Sequence, residues 1–186
     1  MTPAGTISSV MRRNPTPGTT MMNKKPYASG MYGGKFMPMH RGHLNCLRKA
    51  SELCDRVYLI MFYGGDDEER IRRSDGREFL NVENRWSQVK RAASQFDNVT
   101  PLMLDISDCR FEDGSEDWDK ETPRVISAIG HFDAVFGSEP SYKAYFDRAY
   151  PWAKYIMVDP ERKELPISAT KIRNMETEEE IRKWIV

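Results

Sequence analysis

Short apolar runs alternate with segments of helical periodicity along most of this chain of 186 residues. The run from Arg56 to Gly64, RVYLIMFYG, is continuously apolar and ends at a glycine pair, which is typical of a strand buried on both faces of a parallel sheet. Because a strand, helix, strand order needs crossover connections, the alternation predicts an α/β fold with a parallel five-stranded sheet and helices on both faces. The other predicted strands are residues 27–36, 99–106, 133–138 and 154–159. The predicted helices are residues 41–54, 81–96, 122–130 and 142–149, and a final helix follows the segment 166–174.

Two proline residues and two polar segments refine this prediction. Pro101 favours an irregular or edge position for the third strand, and Pro123 favours the first position of the helix 122–130. The segments 65–78 and 109–121 are polar and rich in charge, so we expect long loops there, the first with at most one short helical turn.

Composition excludes several classes of protein. Lysine plus arginine number 28 and aspartate plus glutamate 28, so the formal net charge is zero. This balance does not indicate a nucleic-acid partner. No apolar stretch reaches the ~20 residues that span a bilayer, and no membrane association is expected. Three cysteines without a CxxC pair indicate reduced thiols in a cytoplasmic protein and no metal site of the zinc type.

The first residues are rich in Thr, Pro, Ser and Gly and have little apolar surface to bury. They lack the apolar core of a secretory signal. We therefore predict a disordered tail over residues 1–25 and one domain over residues 26–186.

The segment KFMPMHRGHLNCL carries the first candidate site. His40 and His43 lie three residues apart around Gly42, where a strand gives way to a helix. The amino end of a helix offers free N–H groups and a partial positive charge, which suit an anion. With Gly33 and Gly34 just upstream, these residues predict a phosphate site, and the alternative is a solvated histidine pair at a helix start.

The segment PISATKIR carries the second candidate site. Ser168 is a good N-cap, and Thr170 and Arg173 follow within the first turn and a half of the helix. A guanidinium can bind phosphate oxygens in a bidentate manner. Two such helix ends that face each other could hold a triphosphate along its length.

Taken together, HxGH near the first strand and ISATKIR near the end resemble the nucleotidyltransferase superfamily. More narrowly, GKFMPMHRGH, ENRW, EDWD, GSE and VDPERKELPISATKIR are similar to the nicotinamide mononucleotide (NMN) adenylyltransferase domain of NadR-type proteins, over most of residues 27–184. Ala169 stands where the family pattern has a second serine. The Walker motif of the kinase domain found in the bifunctional relatives does not occur.

The resemblance implies a Rossmann-like nucleotidyltransferase fold and a role for each matched residue. His40 and His43 would stabilise charge on the α-phosphoryl group of ATP, while Lys35 and Arg173 would hold the other phosphates. Mg²⁺ would enter with ATP, and no residue is predicted to ligate a metal by itself. The nucleotide-binding residues would be Gly33, Gly34, Phe36, Gly42, Gly137, Ser138, Ser168 and Thr170.

Three residues are candidates for the acceptor substrate. Trp118 falls in a polar segment without apolar neighbours in sequence, so it could stack on a nicotinamide ring or simply anchor a loop. Trp86 lies on the apolar stripe of its helix and could pack in the core or against a ligand. Arg85, on another face, could reach a substrate phosphate.

The residues leave three functions open. The first is transfer of AMP from ATP to NMN, which forms NAD and releases pyrophosphate. The second is a cytidylyltransferase that acts on a phosphorylated alcohol. The third is a nucleotide-sensing module without catalysis. Partners are then ATP and a mononucleotide or phosphorylated small molecule, and a homo-oligomer is compatible with the sequence.

Overall fold

The computed structural model describes residues 24–186, so the predicted tail lies almost wholly outside the described residues. Five parallel strands form one sheet with the order β3-β2-β1-β4-β5. The prediction of an α/β parallel five-stranded sheet is confirmed. The strands are β1 (Tyr27–Gly34), β2 (Cys54–Tyr63), β3 (Val99–Asp105), β4 (Ala134–Gly137) and β5 (Lys154–Met157).

Helices cover both faces of the sheet, as predicted. Neighbouring residues of one strand point to opposite faces, so Tyr32 packs in the core beneath α1 and α3 while Met31 packs in the core beneath α4 and α5. The helices are α1 (Arg41–Leu53), α2 (Asp66–Ser74), α3 (Val82–Ala93), α4 (Trp118–Ile129), α5 (Lys143–Ala149), α6 (Ala169–Arg173) and α7 (Glu178–Arg182), with short 3₁₀ turns at Glu78–Leu80 and Pro140–Tyr142.

The order of the strands reverses between β1 and β4. β1 lies at the centre of the sheet, with β2 on one side and β4 on the other. In open sheets of this kind the connections leave in opposite directions at such a point and open a crevice at the carboxyl ends of the strands. β3 is an edge strand, so the position inferred from Pro101 is confirmed.

The segment 65–78 is not a long loop, because it contains the nine-residue helix α2. Four acidic residues fill its first turn and two arginines its last, which complements the helix dipole. Glu69 pairs with Arg73 one turn later. Only Ile71 is apolar, so hydrophobic periodicity could not reveal the helix.

α4 begins four residues before the predicted start. Asp117 caps it by accepting a hydrogen bond from the Asp119 amide, at 3.1 Å. Pro123 therefore lies inside the helix, and the prediction of a first-position proline was wrong. The single predicted final helix is two short ones, α6 and α7.

A buried ion pair joins α2 to α3. Arg85 is fully buried and its Nη2 donates to Glu68 Oε1 at 2.5 Å, while Nη1 donates to the Lys35 carbonyl at 2.6 Å. The second oxygen of Glu68 accepts the Gly64 amide at 2.8 Å. The pair thus fixes the backbone at the carboxyl ends of β1 and β2, where the crevice opens.

Removing one member of this pair should destabilise the fold. We expect Arg85→Ala to lower the free energy of unfolding by about 3–5 kcal/mol, because it leaves the Glu68 carboxylate buried without its cationic partner. The double variant Arg85→Met with Glu68→Leu should recover much of the loss. Urea unfolding measures both.

The exposed pair of Arg73 and Glu69 on the same helix provides the control. Arg73→Ala should change the free energy of unfolding by less than about 1 kcal/mol. An Arg85→Ala protein as stable as this control would contradict the account.

Candidate active site

A cavity of about 440 Å³ opens at the carboxyl ends of β1 and β4. This is the crevice expected from the strand order, and its size suits a small-molecule ligand. Every site residue predicted from the sequence lines it except Arg85 and Trp86. Those that do are Gly33, Gly34, Lys35, Phe36, His40, Gly42, His43, Trp118, Gly137, Ser138, Ser168, Thr170 and Arg173.

The two histidines form the amino end of α1 and cap it mutually. His40 is the N-cap, and its Nδ1 accepts the Gly42 amide at 3.1 Å. His43 Nδ1 in turn accepts the His40 amide at 3.3 Å. The rings stack with centroids 3.7 Å apart and planes at 26°. Because both Nδ1 atoms accept, each neutral ring carries its proton on Nε2, which is then free to donate to a ligand.

Burial keeps both imidazoles neutral. It lowers the pKa of His40 to about 4, and the positive charge of Arg162 lowers it further. The pKa of His43 is held well below its usual value by burial first, and then by His40 and Arg162. At neutral pH the pair therefore presents two N–H donors and no formal charge.

Gly42 is needed for this arrangement. A Cβ at this position would lie 2.9 Å from His40 Cε1 and 3.5 Å from Ile167 Cγ2. Its absence therefore lets the His40 ring fold back over the helix start. Phe36 supports the pair from the other side, with its ring centroid 5.1 Å from that of His43.

The second predicted helix end meets the first. Ser168 caps α6 by accepting the Lys171 amide at 3.1 Å. Arg173 Nη1 donates to the Met37 carbonyl at 2.7 Å, and Nη2 donates to Thr170 Oγ1 at 3.1 Å. Arg173 thus joins α6 to the loop that carries His40, and both groups line one cavity.

Lys35 also lines the cavity and is held by carboxylates. Its Nζ lies 2.5 and 2.6 Å from the two oxygens of Glu116 and 3.4 Å from Asp67 Oδ2. A phosphate that binds this ammonium would therefore compete with, or share, two negative groups.

Trp118 faces an aromatic wall and is not isolated in a loop. It is the first residue of α4, and its ring lies edge to face with Tyr142 and Tyr145, at centroid distances of 5.2 and 5.1 Å. Its Nε1 donates to Glu116 Oε2 at 3.4 Å. The absence of apolar neighbours in sequence was misleading, since the contacts come from α5 and the turn before it.

Glu121 adds an unusual carboxyl group to this end of the cavity. Its Oε1 is shielded from solvent and has no hydrogen-bond partner among residues 24–186. Burial, followed by the negative charge of Glu116, raises the pKa of Glu121 to about 7. The carboxyl is therefore available as a donor or an acceptor to a bound molecule near neutral pH.

The structure does not bring Arg85 or Trp86 into the cavity. Arg85 is sequestered in its ion pair with Glu68 and touches the site only through the Lys35 carbonyl. Trp86 packs against the core beneath α1 and α3, with Lys90 Nζ 5.7 Å from its ring centroid. Both residues are on a helix whose inner face is used for packing, and the structure places neither among the residues that line the cavity; for Trp86 it shows the core packing that the sequence left as one alternative.

Six charged residues that line the cavity were not among the predicted site residues: Asp67, Glu116, Glu121, Glu139, Asp159 and Arg162. Arg162 lines the cavity beside the histidines and pairs with Glu139. Glu116 lies against Lys35 and Trp118, and its negative charge acts on Glu121. Only the placement of their segments after strands hinted at a role, because charged residues in polar loops look alike in sequence.

The cytidylyltransferase-like family matches residues 31–175, which includes both helix ends of the cavity. The chain belongs to this family. The family is part of the nucleotidyltransferase superfamily, so the resemblance drawn from HxGH and ISATKIR is confirmed at this level. Among residues 24–186, no helix is long and apolar enough to cross a membrane.

Relatives of several specificities share this fold. Phosphopantetheine adenylyltransferase of Streptococcus gordonii is 36% identical over 70 residues, which is 38% of this chain and 37% of that protein. A structure of NadR protein with NAD and AMP-PNP has a TM-score of 0.60 and 26% identity, and covers 86% of this chain and 44% of the NadR chain. A bifunctional NMN adenylyltransferase/ADP ribose pyrophosphatase from Francisella tularensis shares the fold at 18% identity, with a TM-score of 0.56. The chain spans less than half the length of each of these proteins.

The neutral histidine pair predicts a particular pH dependence of stability. The unfolded chain takes up protons on His40 below its ordinary pKa of ~6.5, whereas the folded protein does so only near pH 4. Stability should therefore fall as the pH falls from 6.5 to 4, by about 2–3 kcal/mol from His40 alone. Urea unfolding at several pH values measures this loss.

The double variant His40→Asn with His43→Asn should lose much less stability over the same pH range, and asparagine retains the N-cap acceptor. His131→Asn, at an exposed position outside the cavity, should behave as the wild type does. Equal pH slopes in the wild type and the double variant would refute the assignment of two neutral rings.

Proposed function

We propose that this protein transfers AMP from ATP to nicotinamide mononucleotide, forming NAD and releasing pyrophosphate. The observation that carries the proposal is the meeting of two helix starts in one cavity, one with paired imidazoles and the other with Ser168, Thr170 and Arg173. The family match supports nucleotidyl transfer, and the named relatives support adenylyl transfer in general.

The reaction depends on the positioning of the two substrates and on the stabilisation of negative charge on phosphate oxygens more than on proton transfer. A phosphate oxygen of the acceptor attacks the α-phosphorus of ATP in line, and the bond from that phosphorus to the bridging oxygen of pyrophosphate breaks. Because the attacking phosphate is already anionic, no general base is required. The Nε2–H groups of His40 and His43 would donate to the oxygens on which negative charge increases.

The remaining cations would hold the departing pyrophosphate. Arg173 lies beside Thr170 and can exchange its bond to the Met37 carbonyl for phosphate oxygens. Lys35 would reach the triphosphate from the inner side. Arg162 adds a positive charge close to both imidazoles, and its effect on their pKa values supports its nearness to the transferred group.

Mg²⁺ would bind chiefly through the triphosphate. Among the described residues, no group of three or more His, Cys, Asp or Glu side chains could hold a metal ion. Mg²⁺ commonly keeps several waters and binds substrate phosphates with few protein ligands. The cation would neutralise charge on the phosphates while the protein residues orient them.

The aromatic end of the cavity favours NMN over a small polyol phosphate. Trp118, Tyr142 and Tyr145 offer ring faces and edges that a flat heteroaromatic group could contact. The NadR structure with 26% identity was obtained with NAD and AMP-PNP, which supports the same acceptor class. A cytidylyltransferase that acts on a phosphorylated alcohol is the second candidate, because the family match does not distinguish the two.

A screen of pyrophosphate release separates these functions. ATP and CTP are each tested with NMN, phosphopantetheine, an alditol phosphate and an amino-alcohol phosphate, in the presence of Mg²⁺. We expect turnover with ATP and NMN, and at least a 100-fold loss of kcat in the double variant His40→Asn with His43→Asn, because each ring supplies a donor to the transition state.

The control for this screen is His131→Asn, which should retain the wild-type rate. Turnover with CTP and a phosphorylated alcohol alone would replace the proposal with the cytidylyltransferase. Binding of AMP-PNP without turnover on any acceptor would favour the sensing module.

A further inference from the structure

Glu116 contacts both Lys35 and Trp118 through one carboxylate. Both of its oxygens contact Lys35 Nζ, at 2.5 and 2.6 Å. Oε2 also accepts a hydrogen bond from the Trp118 indole at 3.4 Å, and Oε1 accepts the Asp67 amide at 3.3 Å. The Glu116 side chain is only 9% exposed, so these contacts are shielded from solvent.

The fold makes room for this carboxylate. Gly65, just before α2, has no Cβ, and a Cβ there would overlap Glu116 Oε1. The backbone of the β2–α2 connection therefore passes directly over the carboxylate. A side chain at position 65 would displace Glu116 from Lys35 or from the Asp67 amide.

The charges around Glu116 do not balance once a triphosphate is bound. In the free protein Lys35 compensates the carboxylate. A triphosphate that binds Lys35 brings several negative charges and draws on the same ammonium. The neighbouring Glu121 has a pKa raised to about 7 by burial and by Glu116, so this region already resists a further negative charge.

We propose that Glu116 is a positioning and specificity residue that couples the two substrate sites. It holds Lys35 until the triphosphate binds, and its carboxylate then becomes the counter-charge for a cationic acceptor ring beside Trp118. This inference rests on the proposed function, because NMN carries a pyridinium ring. It predicts that the triphosphate and a cationic acceptor strengthen each other's binding, while an acceptor ring with a carboxylate gains less.

The variant Glu116→Gln tests the charge and keeps the shape. Its amide oxygen can still accept one of the two hydrogen bonds, from the Trp118 indole or from the Asp67 amide, which reach different oxygens of the carboxylate. Lys35 becomes more available to phosphate, so the KM for ATP should fall about threefold to fivefold. The ring loses its counter-charge, so the KM for NMN should rise about fivefold to tenfold. A purely structural defect would raise both constants.

Glu112→Gln provides the matched control. Glu112 is exposed, lies in the same loop and does not line the cavity. Both of its KM values should stay within twofold of the wild type. Two KM values that move in the same direction in Glu116→Gln would overturn the inference.

Calorimetry separates this inference from the proposed function, because it needs no turnover. In the wild type, saturating AMP-PNP with Mg²⁺ should tighten NMN binding at least fivefold, and nicotinic acid mononucleotide binding less. In Glu116→Gln the gain for NMN should be under twofold. Coupling without turnover would refute the proposed reaction and keep the inference. If the protein turns over ATP and NMN but Glu116→Gln leaves the coupling intact, the inference is refuted and the proposed reaction stands.

Discussion

The site depends on the mutual capping of His40 and His43 at the start of α1. Each Nδ1 is fixed by a backbone amide, so neither ring can rotate without leaving an N–H group of the helix end unpaired. The same bonds place the ring protons on Nε2. Burial then keeps both rings neutral, so the helix end offers directed donors in place of a diffuse positive charge.

The sheet brings the remaining groups to this pair. β1 and β4 end side by side at the reversal of strand order, and the segment before α6 returns to the same edge after β5. Arg173 ties this part of the chain to the histidine loop through the Met37 carbonyl. The result is one cavity lined by imidazoles, cationic side chains, aromatic rings and carboxyl groups.

Much of this could be predicted from the sequence, for physical reasons. Buried parallel strands are continuously apolar, so β2 and the class of fold were evident. Gly42 between two histidines marked a helix start with functional side chains.

α2 was missed because its stability comes from charge placement and not from an apolar stripe. Arg85 was misplaced because a buried arginine is recognised only once its partner Glu68, on another helix, is known. Glu116 was missed for the same reason, since its partners Lys35 and Trp118 meet only in the folded chain.

The most direct test is to observe the imidazole protons. Nitrogen-15 NMR of histidine-labelled protein at pH 7, with and without AMP-PNP and Mg²⁺, reports the protonated nitrogen of each ring. We predict neutral rings protonated on Nε2 for His40 and His43, and a change in both Nε2 resonances when the nucleotide binds, with His131 unchanged. Charged rings, protons on Nδ1, or Nε2 resonances that ignore the nucleotide would contradict the account.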